Sequence, residues 1–252
     1  MSVRPGAEAY RRDGGPVGVL LCHGFTGSPA SMRPWADYLA DRGASVSVPR
    51  LPGHGTTVKE MQGTRWIDWY AEEQRALLDL ADRCSDVFVM GLSMGGTLAL
   101  RLAEQHPEIV RGLVLVNPAL RSDNKVLLAL PALRLVVPSV KGLSNDIAKP
   151  GQDEVAYDRT PLKPLYSLTK FWRIVTADLD EVSAPLLVFR SAQDHVVEES
   201  STRVLLDRVG SAEVEQRVLQ RSYHVATLDY DAEEIFEGSW NFVQRHTAPA
   251  AG

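Results

Sequence analysis

The pentapeptide Gly91-Leu92-Ser93-Met94-Gly95 has the form G-x-S-x-G, which suits a serine nucleophile held at the tip of a sharp strand-to-helix corner. Glycines two positions before and after the serine let the two backbones approach closely. The flanking sequence agrees with such a corner. Val87 to Met90 is a buried-strand pattern, and Met94 to Gln105 reads as a helix with Leu98 and Leu102 on one face, broken by Pro107. Ser93 therefore sits at a helix N-terminus, where the macrodipole favours developing negative charge. The chemistry this predicts is acyl transfer through an acyl-serine.

A hydroxyl nucleophile needs a base, and the base needs an acid to orient it. The order for this kind of site is serine, acid, histidine. His23, His54 and His106 precede the expected acid or sit in turns, and His246 lies near the end of the chain. His195 and His224 remain. The apolar run Leu186 to Arg190 is followed by the loop SAQDHVVEES, where the acid is expected, and Asp194 is assigned to that role. Asp178, Asp180 and Glu198 are the rival acids. His195 is next to Asp194 in the chain and is poorly placed to face it. His224, in the loop after the strand pattern VEQRVL, is assigned as the base.

The tetrahedral oxyanion of acyl transfer needs backbone N–H donors already in place. Met94, following the nucleophile, supplies one. The segment Leu20-Leu21-Cys22-His23-Gly24-Phe25-Thr26-Gly27 supplies the other through the amide of Phe25, with Gly24 and Gly27 letting the loop curl. His23 and His54, the latter in Gly53-His54-Gly55, read as structural residues near the site. The chemistry calls for neither metal nor organic cofactor.

These residues need a scaffold of alternating strands and helices. Val17 to Cys22, Ala44 to Val48, Val87 to Met90, Gly112 to Val116, Pro185 to Arg190 and Val214 to Leu219 have strand character. Pro29 to Arg42, Trp66 to Arg83, Met94 to Gln105 and Ala232 to Arg245 have helical spacing. The order predicts an α/β-hydrolase fold with a mostly parallel sheet covered on both faces. The small-residue tail from Thr247 to Gly252 reads as frayed. One domain spanning 1–252 is expected. From about Leu120 to Arg173 the strand rhythm stops, beginning with KVLLALPALRLVVPSVKGL. An insertion there overhangs the carboxyl ends of the strands, so it reads as a helical cap, with a plain insertion as the alternative. Pro131 and Pro138 interrupt any single amphipathic helix, and its apolar face is expected to pack over the site or to touch lipid aggregates transiently.

Composition sets the outer limits. The chain has 252 residues, 44% hydrophobic and 23% charged, with net charge -5. That balance gives no pull toward nucleic acid or anionic lipid. The two cysteines, Cys22 and Cys84, lie beside apolar stretches and are expected to be buried free thiols. No apolar segment resembles a signal peptide or is long enough to span a bilayer, so a cytoplasmic location is the default expectation. The oligomeric state is not legible.

The segments HGFTGSP, SMRPWADYL, PRLPGHGT, FVMGLSMGGTLAL and SYHVATLDYD resemble those of bacterial monoacylglycerol lipases and, more distantly, small bacterial carboxylesterases. The similarity runs over nearly the whole chain. The resemblance implies a triad of Ser93, Asp194 and His224, oxyanion amides at Phe25 and Met94, and a small cap over an acyl tunnel. It also implies hydrolysis of monoacylglycerols to glycerol and fatty acid. In KPGQDEVAYDRTP, Glu154 falls where the family has a glutamate that holds the glycerol head, and Leu143 where it has an apolar pocket residue. Read without the family, Glu154 is an exposed cap carboxylate. The early cap, LLALPALRLVVPSVKG, departs from the family pattern, which leaves acyl-chain preference open. A short-chain carboxylesterase and a low-turnover ligand-binding protein on the same scaffold are the alternative functions.

Overall fold

A computed structural model describes residues 2–247, so residues 248–252 of the expected frayed tail lie outside the described part. The described residues form nine strands and eight α-helices. The strands are β1 (Tyr10–Arg12), β2 (Val17–Cys22), β3 (Ser45–Val48), β4 (Asp86–Leu92), β5 (Val110–Val116), β6 (Ser139–Lys141), β7 (Arg159–Pro161), β8 (Leu186–Ser191) and β9 (Val214–Leu219). The helices are α1 (Arg33–Ala40), α2 (Val58–Met61), α3 (Trp66–Ala81), α4 (Met94–Gln105), α5 (Leu130–Val136), α6 (Leu162–Ala177), α7 (Glu199–Arg208) and α8 (Ala232–His246).

Seven strands form one sheet in the order β1-β3-β2-β4-β5-β8-β9. All neighbours are parallel except β1, which runs antiparallel to β3. The fold is that of an α/β-hydrolase. Its central strands are apolar at nearly every position because both faces are covered. Leu20, Val89, Leu113 and Val188 point to one side and meet Leu77 of α3, Leu98 of α4 and Phe171 of α6. Leu21, Met90, Val114 and Phe189 point to the other and meet Trp35 of α1 and Ile235 and Phe242 of α8. Strand register brings the carboxyl ends of β4, β5, β8 and β9 to one edge, where Leu92 pairs with Val116, Val116 with Phe189, and Ser191 with Leu219.

The chain between β5 and β8 lies over that edge. Where the sequence shows no strand signal, β6 and β7 pair antiparallel, with Val140 opposite Thr160. Each is three residues long, too short for an alternating pattern to register. The latter half of the insertion is fastened to the body. The Tyr157 hydroxyl donates to Gly53 O and accepts from Thr56 N, each at 2.8 Å. Phe171 stacks on Trp66 at 4.7 Å between ring centroids. Ala148 N and Lys149 N both donate to the Asp229 carboxylate. The earlier half, through α5, leaves apolar side chains in solvent: Leu128 is 83% exposed and Val136 79%. Among the described residues, no helix is long and apolar enough to cross a membrane.

Candidate active site

Ser93 occupies the corner between β4 and α4 with φ 57° and ψ -119°. That left-handed backbone is costly for a residue with a Cβ, on the order of 1–3 kcal/mol, and such strain persists only where the surroundings enforce it. Here the enforcement is steric. A Cβ on Gly95 would sit 1.9 Å from Cys22 O, and one on Gly91 2.3 Å from Gly95 O. The Ser93 amide is anchored to Val116 O of the neighbouring strand at 3.0 Å.

His224 is buried in the loop after β9, and its Nδ1 lies 2.8 Å from Asp194 Oδ2. Asp194 follows β8, and its other oxygen accepts from the amides of Val196 and Val197, each at 2.8 Å. Because a carboxylate can only accept, Nδ1 carries the hydrogen and Nε2 is left as the basic nitrogen. Burial opposes the charged imidazole, but the charge and hydrogen bond of Asp194, helped by Glu154 and Asp146, outweigh it and raise the His224 pKa. Burial likewise opposes the Asp194 carboxylate, yet His224 and the two amides hold its pKa below the usual range. Two of the three rival acids are engaged elsewhere: Asp178 accepts from Arg101 and Glu198 from Ser122.

The loop after β2 passes beside the serine, and a Cβ on Gly24 would be 3.5 Å from Ser93 Cβ. His23 and His54 support this loop. His23 donates from Nδ1 to Gly24 O and accepts at Nε2 from Leu51 N. Burial drops its pKa to about 4, so it stays neutral. His54 packs against it at 5.0 Å between rings, and burial, then His23, pushes its pKa well below normal. The amide of Met94 is the first of α4 and has no acceptor within the helix.

Ser93, Met94, Phe25 and His224 line one cavity of about 320 Å³. Its apolar wall is Leu127, Leu165, Leu168 and Trp172, with Leu143 at 58% exposure near its rim. Glu154 also lines it, part-buried rather than the exposed carboxylate of the sequence-only reading. Its Oε1 accepts from Asn145 N at 2.8 Å, and its own amide donates to Asn145 Oδ1. Burial raises its pKa, against the pull of the Asn145 amide and of His224. The next residue, Val155, has φ 55°, an outlier for a β-branched side chain.

Two residues that sequence reasoning missed organise the histidine loop. Asn117, at the end of β5, donates to His224 O and Ser191 Oγ and accepts from Ser191 N. Asp146, in the insertion, accepts from the His224 amide at 3.1 Å and from His195 Nδ1 at 2.8 Å. An asparagine closing the strand pattern VLVN is a signal that could have been read. Asp146 has no local signal, because its partners lie 49 and 78 positions away. The SYHVATLDYD segment is explained by Asp229 and Asp231. Asp229 accepts from Tyr223 N and from the insertion amides, and Asp231 accepts from Arg221 N and Ser222 N.

Known proteins share this arrangement of chain. The family described as serine aminopeptidase, S33, matches residues 17–231. The thermostable monoacylglycerol lipase of Bacillus sp. (strain H-257) is 42% identical over 251 residues, covering 97% of each chain. A carboxylesterase of Bacillus subtilis (strain 168) is 24% identical over 92% of this chain and 94% of its own. A solved structure from work on two metagenome-derived lipolytic enzymes superimposes with a TM-score of 0.94 at 40% identity, over 97% of this chain and all of that one. The chain belongs to the serine aminopeptidase S33 family of α/β-hydrolases and, within it, to the group of the bacterial monoacylglycerol lipases.

Proposed function

We propose that this chain hydrolyses carboxylic esters, monoacylglycerols above all, through an acyl-enzyme on Ser93. The observation that carries the reading is His224, backed by Asp194, lining with Ser93 a single cavity that has an apolar wall of Leu127, Leu165, Leu168 and Trp172 and the polar side chains of Glu154 and Asp146. In this reading His224 Nε2 takes the Ser93 proton as Oγ attacks the ester carbonyl. The amides of Phe25 and Met94 receive the oxyanion, and Asp194 stabilises the imidazolium. His224 then gives its proton to the departing alcohol, and a water activated by the same nitrogen releases the fatty acid. Helix α4 adds its positive end at the reacting carbon.

The insertion at about 120–173 acts as a cap over one hydrolase domain. Glu154 holds the glycerol hydroxyls and Leu143 borders the acyl path. The substrate is a small lipid, with transient contact with lipid aggregates through the exposed cap side chains, and the location is cytoplasmic. The test is turnover of monoacylglycerols of graded chain length beside di- and triacylglycerols and p-nitrophenyl esters. A preference for the bulkier lipids removes the reading, and a sharp optimum at very short acyl chains favours a short-chain carboxylesterase instead. Ser93→Ala is expected to abolish turnover and fluorophosphonate labelling while the protein stays folded.

A further inference from the structure

A second depression of about 840 Å³ adjoins the cavity, between the early insertion and helices α6 and α7. The two share Arg121, Ser122, Asn124, Leu127 and Trp172, so they are neighbours across a thin wall. Their chemistry differs. The catalytic cavity carries the carboxylates Asp146 and Glu154, with Asp194 behind His224. The groove carries Lys125, Lys170, Arg173 and Arg208, with Arg121 at the shared wall, against a single acid, Asp123.

Asp123 is already engaged by Arg121 at 2.6 Å. Among the described residues, no ion pair is formed by Lys125, Arg173 or Arg208. Leu128, Pro131 and Val204 line the same groove, so charge and apolar surface lie side by side. An anion therefore falls in electrostatic energy on passing from the catalytic side to the groove, whereas a neutral alcohol does not.

We infer that this groove binds the free long-chain carboxylate that ester hydrolysis at Ser93 releases. The head is met by Arg173 and Arg208, and the tail by Leu128, Pro131 and Val204. The inference rests on the ester-hydrolase reading for the origin of the anion, but the binding itself needs no turnover.

The test is equilibrium dialysis of laurate, below its critical micelle concentration, against Ser93→Ala protein, with dodecanol as the neutral control. Laurate affinity should fall about tenfold or more in the Arg173→Glu, Arg208→Glu double variant, and also with added salt. Dodecanol affinity should not change, and the Arg173→Lys, Arg208→Lys variant should bind laurate as the parent does. Unchanged laurate affinity in the double variant overturns the inference, as does an equal loss of dodecanol. Loss of binding to phosphatidylglycerol vesicles with laurate affinity intact overturns it in favour of a lipid-surface contact. Turnover of p-nitrophenyl laurate by the unaltered chain is measured separately. If that fails, the functional reading fails, whatever the groove binds.

Discussion

Asp146→Ala isolates the grip of the insertion on the histidine loop. In the parent structure one Asp146 oxygen accepts from the buried His224 amide at 3.1 Å, and the other from the half-exposed His195 ring at 2.8 Å. The second contact is solvent-screened and contributes little. The first is an amide-to-carboxylate bond in a buried loop, worth roughly 1.5–3 kcal/mol. If about 2 kcal/mol of it serves to hold the imidazole where the reaction needs it, kcat falls roughly 30-fold, at about 1.4 kcal/mol per decade. Asp146→Asn keeps an oxygen for the His224 amide and should recover most of that loss. Both variants remove a negative charge that raises the His224 pKa. With that charge gone the imidazole is neutral at lower pH, so the acidic limb of kcat/KM moves to lower pH in both. The assay is a pH profile of p-nitrophenyl ester turnover for the three proteins. An alanine variant within about threefold of the parent across the profile, or a limb that moves to higher pH, refutes the reasoning.

Ser93→Gly removes the nucleophile and also the strain at φ 57°, so urea unfolding should show a gain of about 1 kcal/mol while turnover is lost. Glu73 is fully buried beside the Cys22 thiol, and burial raises its pKa well above the usual carboxylate value against the lowering effect of that thiol. The unfolded chain ionises this group above about pH 4.5 while the folded one keeps its proton, so its contribution to stability falls as pH rises from there toward the folded pKa. Glu73→Met should therefore stabilise more at pH 9 than at pH 5 in thermal melts, and an equal effect at both would count against the burial argument. Leu128→Ser with Val136→Ser should leave stability within about 0.5 kcal/mol and spare monomeric esters, but slow turnover of micellar long-chain substrate.

Much of the fold is legible because parallel strands covered on both faces are apolar without interruption. Val17–Cys22 and Val214–Leu219 have the bounds that the pattern predicts, and α4 likewise runs from Met94 to Gln105. The strand β1 escaped because Tyr10-Arg11-Arg12 lies at the sheet edge and carries no buried pattern. Helix α7 escaped because ESSTRVLLDR buries only Ser201, Thr202 and Leu205, two of them polar. The placement of the candidate residues was legible where the pattern expects them beside strand ends: Ser93 lies at the β4–α4 corner, and Asp194 and His224, after β8 and β9, meet at 2.8 Å. It was not legible where a residue acts only by touching a distant loop, as Asp146 does.

The two carboxylates that clamp residues 146–149 of the insertion to the histidine loop divide that insertion mechanically. Asp146 and Asp229 tie residues 146–149 of the insertion to the loop that carries His224. Residues 121–137 share none of these ties. Swapping that stretch between relatives should therefore exchange acyl-length selectivity while leaving the proton-transfer machinery in register, making it the natural graft point for redesign.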